Sequence, residues 1–162
     1  MDAAAIGWSE FFVAMAGATA ALAGLIIVGM SVNIEKVLQS RSIPARAAAA
    51  IGALTLAVAT SCLGLVPAQP MWLFGLEVLA GSVALWALWA ATLRAVLADT
   101  EPGRPAFPRY VIAAVAPVLF SAAGGLLLAG SAAGLGWLAA ASVVSIVAGV
   151  LFAWIALVEI LR

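Results

Sequence analysis

Glu77 is the carboxylate whose setting most invites chemistry. It follows the apolar run Met71-Trp72-Leu73-Phe74-Gly75-Leu76. A helix through that run carries the carboxylate roughly 7–10 Å below its first residue. Ionisable groups inside apolar spans are costly and face a bundle interior or a water-filled cavity. Glu77 is therefore a candidate proton- or cation-binding group. The same position also suits a carboxylate at headgroup depth, reaching water or a neighbouring Ser or Thr.

A stripe near the N-terminus is the second candidate. Glu10, Ala14, Gly17, Ala21, Gly24, Val28, Ser31 and Glu35 follow one another in steps of four and three. That spacing keeps them on one face of a helix. The face is small or polar, with a carboxylate at each end. The opposite face carries Phe11, Phe12, Met15, Leu22, Ile26 and Met30. Such a helix could line a narrow pore, with Glu10 and Glu35 forming acidic rings at its two mouths. Acidic rings are one way cation channels select by charge.

Packing explains the small residues as well, and more simply. Small side chains at this spacing let two membrane helices approach closely. Comparable runs stand elsewhere: Ala49, Ala53, Ala57 and Ser61, and Ala141, Ser145, Gly149 and Ala153. Only the terminal glutamates set the first stripe apart. Glu10 lies just behind Trp8 and Glu35 just before Lys36, so each also fits an interfacial charge. Ser31 and Asn33 suit interhelical hydrogen bonds, and Arg94 suits snorkelling to the headgroups. Glu159 is placed to pair with Arg162, an exposed pairing of little energetic weight.

Other chemistry is missing. The chain has no histidine, which removes His-based metal sites and every Ser-His or Cys-His nucleophile pair. One cysteine, Cys62, builds neither a disulfide nor a thiolate metal site. No glycine-rich phosphate loop is present. No basic patch with interleaved aromatics suggests nucleic acid. The expectation is a protein that is not an enzyme and has no cofactor and no metal.

The elements that must carry these residues are membrane helices. Hydrophobic residues make up 67% of the chain, charged residues 9%, and the mean hydropathy is +1.24. A soluble fold of this size could not hide that much apolar surface. The charge-poor stretches predict spans over 8–34, 44–66, 71–97, 108–129 and 135–161. Pro67 and Pro70 punctuate the second gap, and Gly130 to Gly136 the fourth. Pro117 is expected to kink the fourth span. The fold class is thus an all-α membrane protein, a bundle of five transmembrane helices forming a single integral membrane domain over 1–162.

All seven basic residues fall on one side of that arrangement. Lys36, Arg41 and Arg46 occupy the first gap. Arg94, Arg104 and Arg109 bracket the third, and Arg162 ends the chain. The excess of basic residues marks the cytoplasmic side, so the N-terminus is expected outside and the C-terminus in the cytoplasm. Trp8, Trp72 and Trp137 then fall at the outer interface, where amphipathic rings collect. Met1-Asp2-Ala3 lacks the basic region of a cleavable signal. The expected location is the inner (plasma) membrane.

The stretch Phe11-Phe12-Val13-Ala14-Met15-Ala16-Gly17-Ala18-Thr19-Ala20-Ala21-Leu22-Ala23-Gly24, continued by Ser31-Val32-Asn33-Ile34, resembles span one of small multi-pass membrane proteins of high-GC bacteria. That resemblance implies no activity. Span one is also loosely similar to the pore helix of Orai-type calcium channels, with small residues and an acidic outer end. The present chain would run the opposite way and has one span too many, so the likeness extends only to the idea of a helix-lined pore.

The first functional expectation is a homo-oligomeric cation-permeable channel lined by span one. Five short helices leave little room for an aqueous path within one chain, so a pore would lie on a symmetry axis. The second is a non-conducting accessory or assembly subunit, with a membrane protein as its partner. The third is a proton-coupled transporter using Glu77. The lipid bilayer is a partner in all three, and nucleic acid in none.

Overall fold

The computed structural model describes residues 3–39, 42–99 and 107–161. Asp2, Arg41, Glu101, Arg104 and Arg162 lie outside the described residues, as do the side chains of Asp99, Arg109, Tyr110 and Glu159.

Long apolar runs without water leave a backbone one economical option, which is to satisfy its own hydrogen bonds within a helix. The described chain does so throughout. Its elements are α1 (Ala3–Val32), α2 (Ile34–Val37), α3 (Ser42–Gly64), α4 (Met71–Asp99), α5 (Phe107–Leu128) and α6 (Ala133–Leu161). Helices α1, α3, α4 and α6 are long and apolar enough to cross a membrane. Helix α5 has 22 residues, with its apolar stretch over Ala114–Leu128 and Pro117 inside it.

The turns are short and chemically legible. Gly130 has φ +76, a left-handed conformation that closes α5 where a side chain would be strained. Ala68 has φ 58 in the turn between α3 and α4, which Pro67 and Pro70 punctuate. The first break differs from the sequence expectation. Span one was expected to run to residue 34 and to keep Glu35 on its stripe, but α1 stops at Val32. The Asn33 side-chain amide donates to the Gly29 carbonyl at 3.1 Å, competing with the helical ladder. Glu35 therefore sits on α2, past the break.

Helix α3 packs against α1, α4 and α6, and α5 packs between α4 and α6. The ends sort by chemistry. Phe12 lies beside Phe74, and a Cβ on Gly64 would touch the Phe12 ring, so the start of α1, the end of α3 and the start of α4 meet. Trp8, Trp72 and Trp137 belong to this tryptophan end. At the other end the Arg46 guanidinium lies 5.9 Å from the centre of the Phe152 ring. The Thr92 hydroxyl donates to the Ala45 carbonyl at 3.0 Å in the same region. Lys36, Arg46 and Arg94 thus share a basic end.

The interior is close-packed. Phe120, Leu54, Leu127, Val78 and Leu138 are fully buried. Glycine permits backbone contact at the tryptophan end. A Cβ on Gly134 would lie 2.8 Å from the Ala123 carbonyl oxygen, and one on Gly124 would lie 3.0 Å from the Leu79 nitrogen.

Candidate functional site: the outward face of α1

Helix α1 is held by one side only. Phe12, Met15, Thr19, Ala23 and Ile26 are buried on it. Trp8 and Phe11 stack edge-on at 5.5 Å and extend the anchor toward Phe74. The Thr19 hydroxyl, itself buried, donates to the Met15 carbonyl at 2.6 Å. These residues recur every three or four positions and define a single packed face.

The stripe lies diametrically opposite. Glu10, Ala14, Gly17, Ala21, Gly24, Val28 and Ser31 are all exposed, and Glu35, expected on the same stripe, is exposed on α2 past the break. The glycines of α1 are Gly7, Gly17, Gly24 and Gly29, and a Cβ on any of them would meet nothing within 4 Å. No contact among the described residues requires these glycines. The Ser31 hydroxyl donates to the Ile27 carbonyl at 2.8 Å, so its proton is used within its own helix.

The other small-residue runs behave differently. Ala53, Ala57 and Ser61 of α3 are buried, with Ala49 half-buried. Ala141, Ser145 and Gly149 of α6 are buried, with Ala153 half-buried. A Cβ on Gly149 would lie 3.1 Å from Leu54 and 3.3 Å from Leu22. Those runs are consumed by packing within the chain. The α1 run is not, and the sequence alone could not separate them, because all three carry small side chains recurring at helical spacing.

Glu77 is half-buried at the tryptophan end. The Gln69 side-chain amide, in the turn before α4, donates to its carboxylate. The carboxylate therefore reaches back toward the turn. Sequence reasoning considered Ser and Thr as partners and missed Gln69, which lies two helical turns earlier and is polar in an otherwise apolar and proline-bounded turn.

Buried hydroxyls are numerous but internally satisfied. Ser142 donates to the Leu138 carbonyl at 3.0 Å and Ser145 to the Ala141 carbonyl at 2.8 Å. A polar cluster between helices joins α4 and α5. There the Trp86 indole donates to Ser121 at 3.1 Å, with the Ser82 hydroxyl 3.3 Å away. A groove of about 290 Å³ runs along Met30, Ile34, Val37, Leu38, Ala47 and Ile51 at the basic end, and its lining is almost wholly apolar. Among the described residues no group of His, Cys, Asp or Glu is placed to hold a metal ion. Cys62 is an exposed free thiol.

Comparison with protein-family models, curated proteins and solved structures finds no match to this chain.

Proposed function

We propose that this chain is an assembly subunit of a multi-pass membrane complex and associates with copies of itself through α1. The observation that carries this reading is the outward small face of α1 with its open glycines. Glycine inside a helix is unfavourable by roughly 0.5–1 kcal/mol relative to alanine. Glycines with no neighbour among the described residues are accounted for if a neighbour arrives from outside the chain. Membrane helices associate by close van der Waals contact, which small residues permit.

The membrane setting proposed is the inner (plasma) membrane, with five spans. Helices α4 and α6 both start at the tryptophan end, so α5 has to return between them. Its 22 residues span about 33 Å, against a hydrocarbon core of about 30 Å. The shared basic end supports an external N-terminus and a cytoplasmic C-terminus.

Changing Gly17 and Gly24 to leucine tests the reading. Differently tagged wild-type copies should co-purify from membranes, and the double variant should lose that association while remaining helical. Co-purification that survives both changes would remove α1 as the contact.

A second reading is the cation channel, favoured by the outward position of Glu10 at one end of the stripe, with Glu35 exposed past the break on α2. It predicts cation flux in liposomes that falls when Glu10 is changed to Gln. Unchanged flux would remove the acidic-ring idea. For the transporter reading, the bond from Gln69 ties Glu77 to a turn, and no observation favours it.

A further inference from the structure

The groove at the basic end is shaped by the break at Asn33. Past it, α2 buries Val37 and leaves Ile34 and Leu38 exposed on either side. The other wall belongs to α3, where Ala47 and Ala48 stand between the larger Pro44 and Ile51. From Ile51 to Pro44 the groove follows α3 for about 10 Å toward the basic end. Among its lining residues only Ser31 has a polar side chain, and that hydroxyl donates to the Ile27 carbonyl at 2.8 Å. A polar ligand would find no free side-chain proton there, and apolar space of this kind does not hold water. Hydrocarbon fits the floor.

The rim has the opposite character. Lys36 stands between Ile34 and Val37 on a helix of four residues, so its charge is held beside the groove. Arg46 lies between Pro44 and Ala47 on α3, with its guanidinium turned toward Phe152. Glu35 is the acidic neighbour, and the rim formed by these three is net positive. We infer that the groove seats one acyl chain of a phospholipid with an anionic headgroup, and that Lys36 holds the headgroup. Basic pockets between membrane helices on the cytoplasmic side suit such headgroups. A second copy is the rival occupant. In the same membrane it would bring its own basic end, and so like charge, to this rim. The inference needs the membrane setting but not self-association through α1.

The test titrates the full chain, stripped of lipid in detergent, with phosphatidylglycerol or with phosphatidylcholine of the same acyl chains. Native mass spectrometry reads the bound lipid. One phosphatidylglycerol per chain should be held about fivefold more tightly than phosphatidylcholine, the effect of one basic residue close to a lipid charge. Lys36→Gln should bring the two lipids to parity. Ala48→Phe, at an exposed position on the groove wall, should weaken both. Equal retention by wild type, or a preference that survives Lys36→Gln, would overturn the headgroup contact. A photolabel needs no substitution. Phosphatidylglycerol with a diazirine on one acyl chain should mark segments 27–38 and 44–51 of the wild-type chain in membranes. Label confined to other helices would overturn the groove as the site. Label lost from these segments when copies associate would give the groove to a second chain, which also overturns the lipid and leaves self-association standing.

Discussion

Two glycine-to-alanine changes in the same chain should act with opposite sign. At Gly75 a Cβ would run into the backbone nitrogen of Leu128, and would lie 2.8 Å from both the Leu127 carbonyl carbon and the Leu128 Cα. Those atoms belong to the α5 backbone, so no side-chain rotation relieves the contact. Helices α4 and α5 have to separate, which also disturbs the packing at Gly124, where a Cβ would lie 3.1 Å from the Gly75 carbonyl oxygen. Overpacking of this kind costs about 1–3 kcal/mol. The gain in helix propensity returns roughly 0.5–1 kcal/mol. The net expectation for Gly75→Ala is a loss of about 1–2 kcal/mol. At Gly17 nothing lies within 4 Å, so Gly17→Ala keeps the propensity gain without a clash. The monomer should become more stable by roughly 0.5–1 kcal/mol. Denaturation in micelles dilute enough to hold single chains, followed by circular dichroism, reads both. A Gly75→Ala variant at least as stable as wild type would refute the backbone contact between α4 and α5.

Three further outcomes follow from named contacts. Trp86→Phe keeps the ring contact with Trp89 but removes the donor to Ser121, and should lower stability by about 0.5–1 kcal/mol in the same denaturation assay. Arg46→Ala removes the cation over Phe152 and should loosen the basic end by about 0.5–1 kcal/mol, seen as faster amide exchange at the end of α6. Glu77→Gln still offers an oxygen to the Gln69 amide, so it should shift the denaturation midpoint by less than about 1 kcal/mol; a larger loss would mean that the charge is needed.

The helical class was legible because an apolar, charge-poor chain of this composition has few other ways to satisfy its backbone. The same composition hides the orientation of each helix. In water a polar face announces the outside, whereas α1 is apolar on both its packed and its exposed sides. Phe12, Met15 and Ile26 could be grouped on one face from their spacing, but nothing in the spacing says that this face turns inward. The α1, α3 and α6 stripes look alike as residues and differ only in what the fold places against them. The break at Asn33 was also missed, since one polar residue near a span end resembles an interfacial side chain.

The central claim is that the chain assembles with itself through α1. Counting subunits per particle in native lipid discs, by mass or by stepwise photobleaching of one label per chain, measures this directly. Wild type should give particles of several copies, and the Gly17→Leu, Gly24→Leu double variant should give single helical chains. Single copies of wild type across the whole concentration range would contradict it.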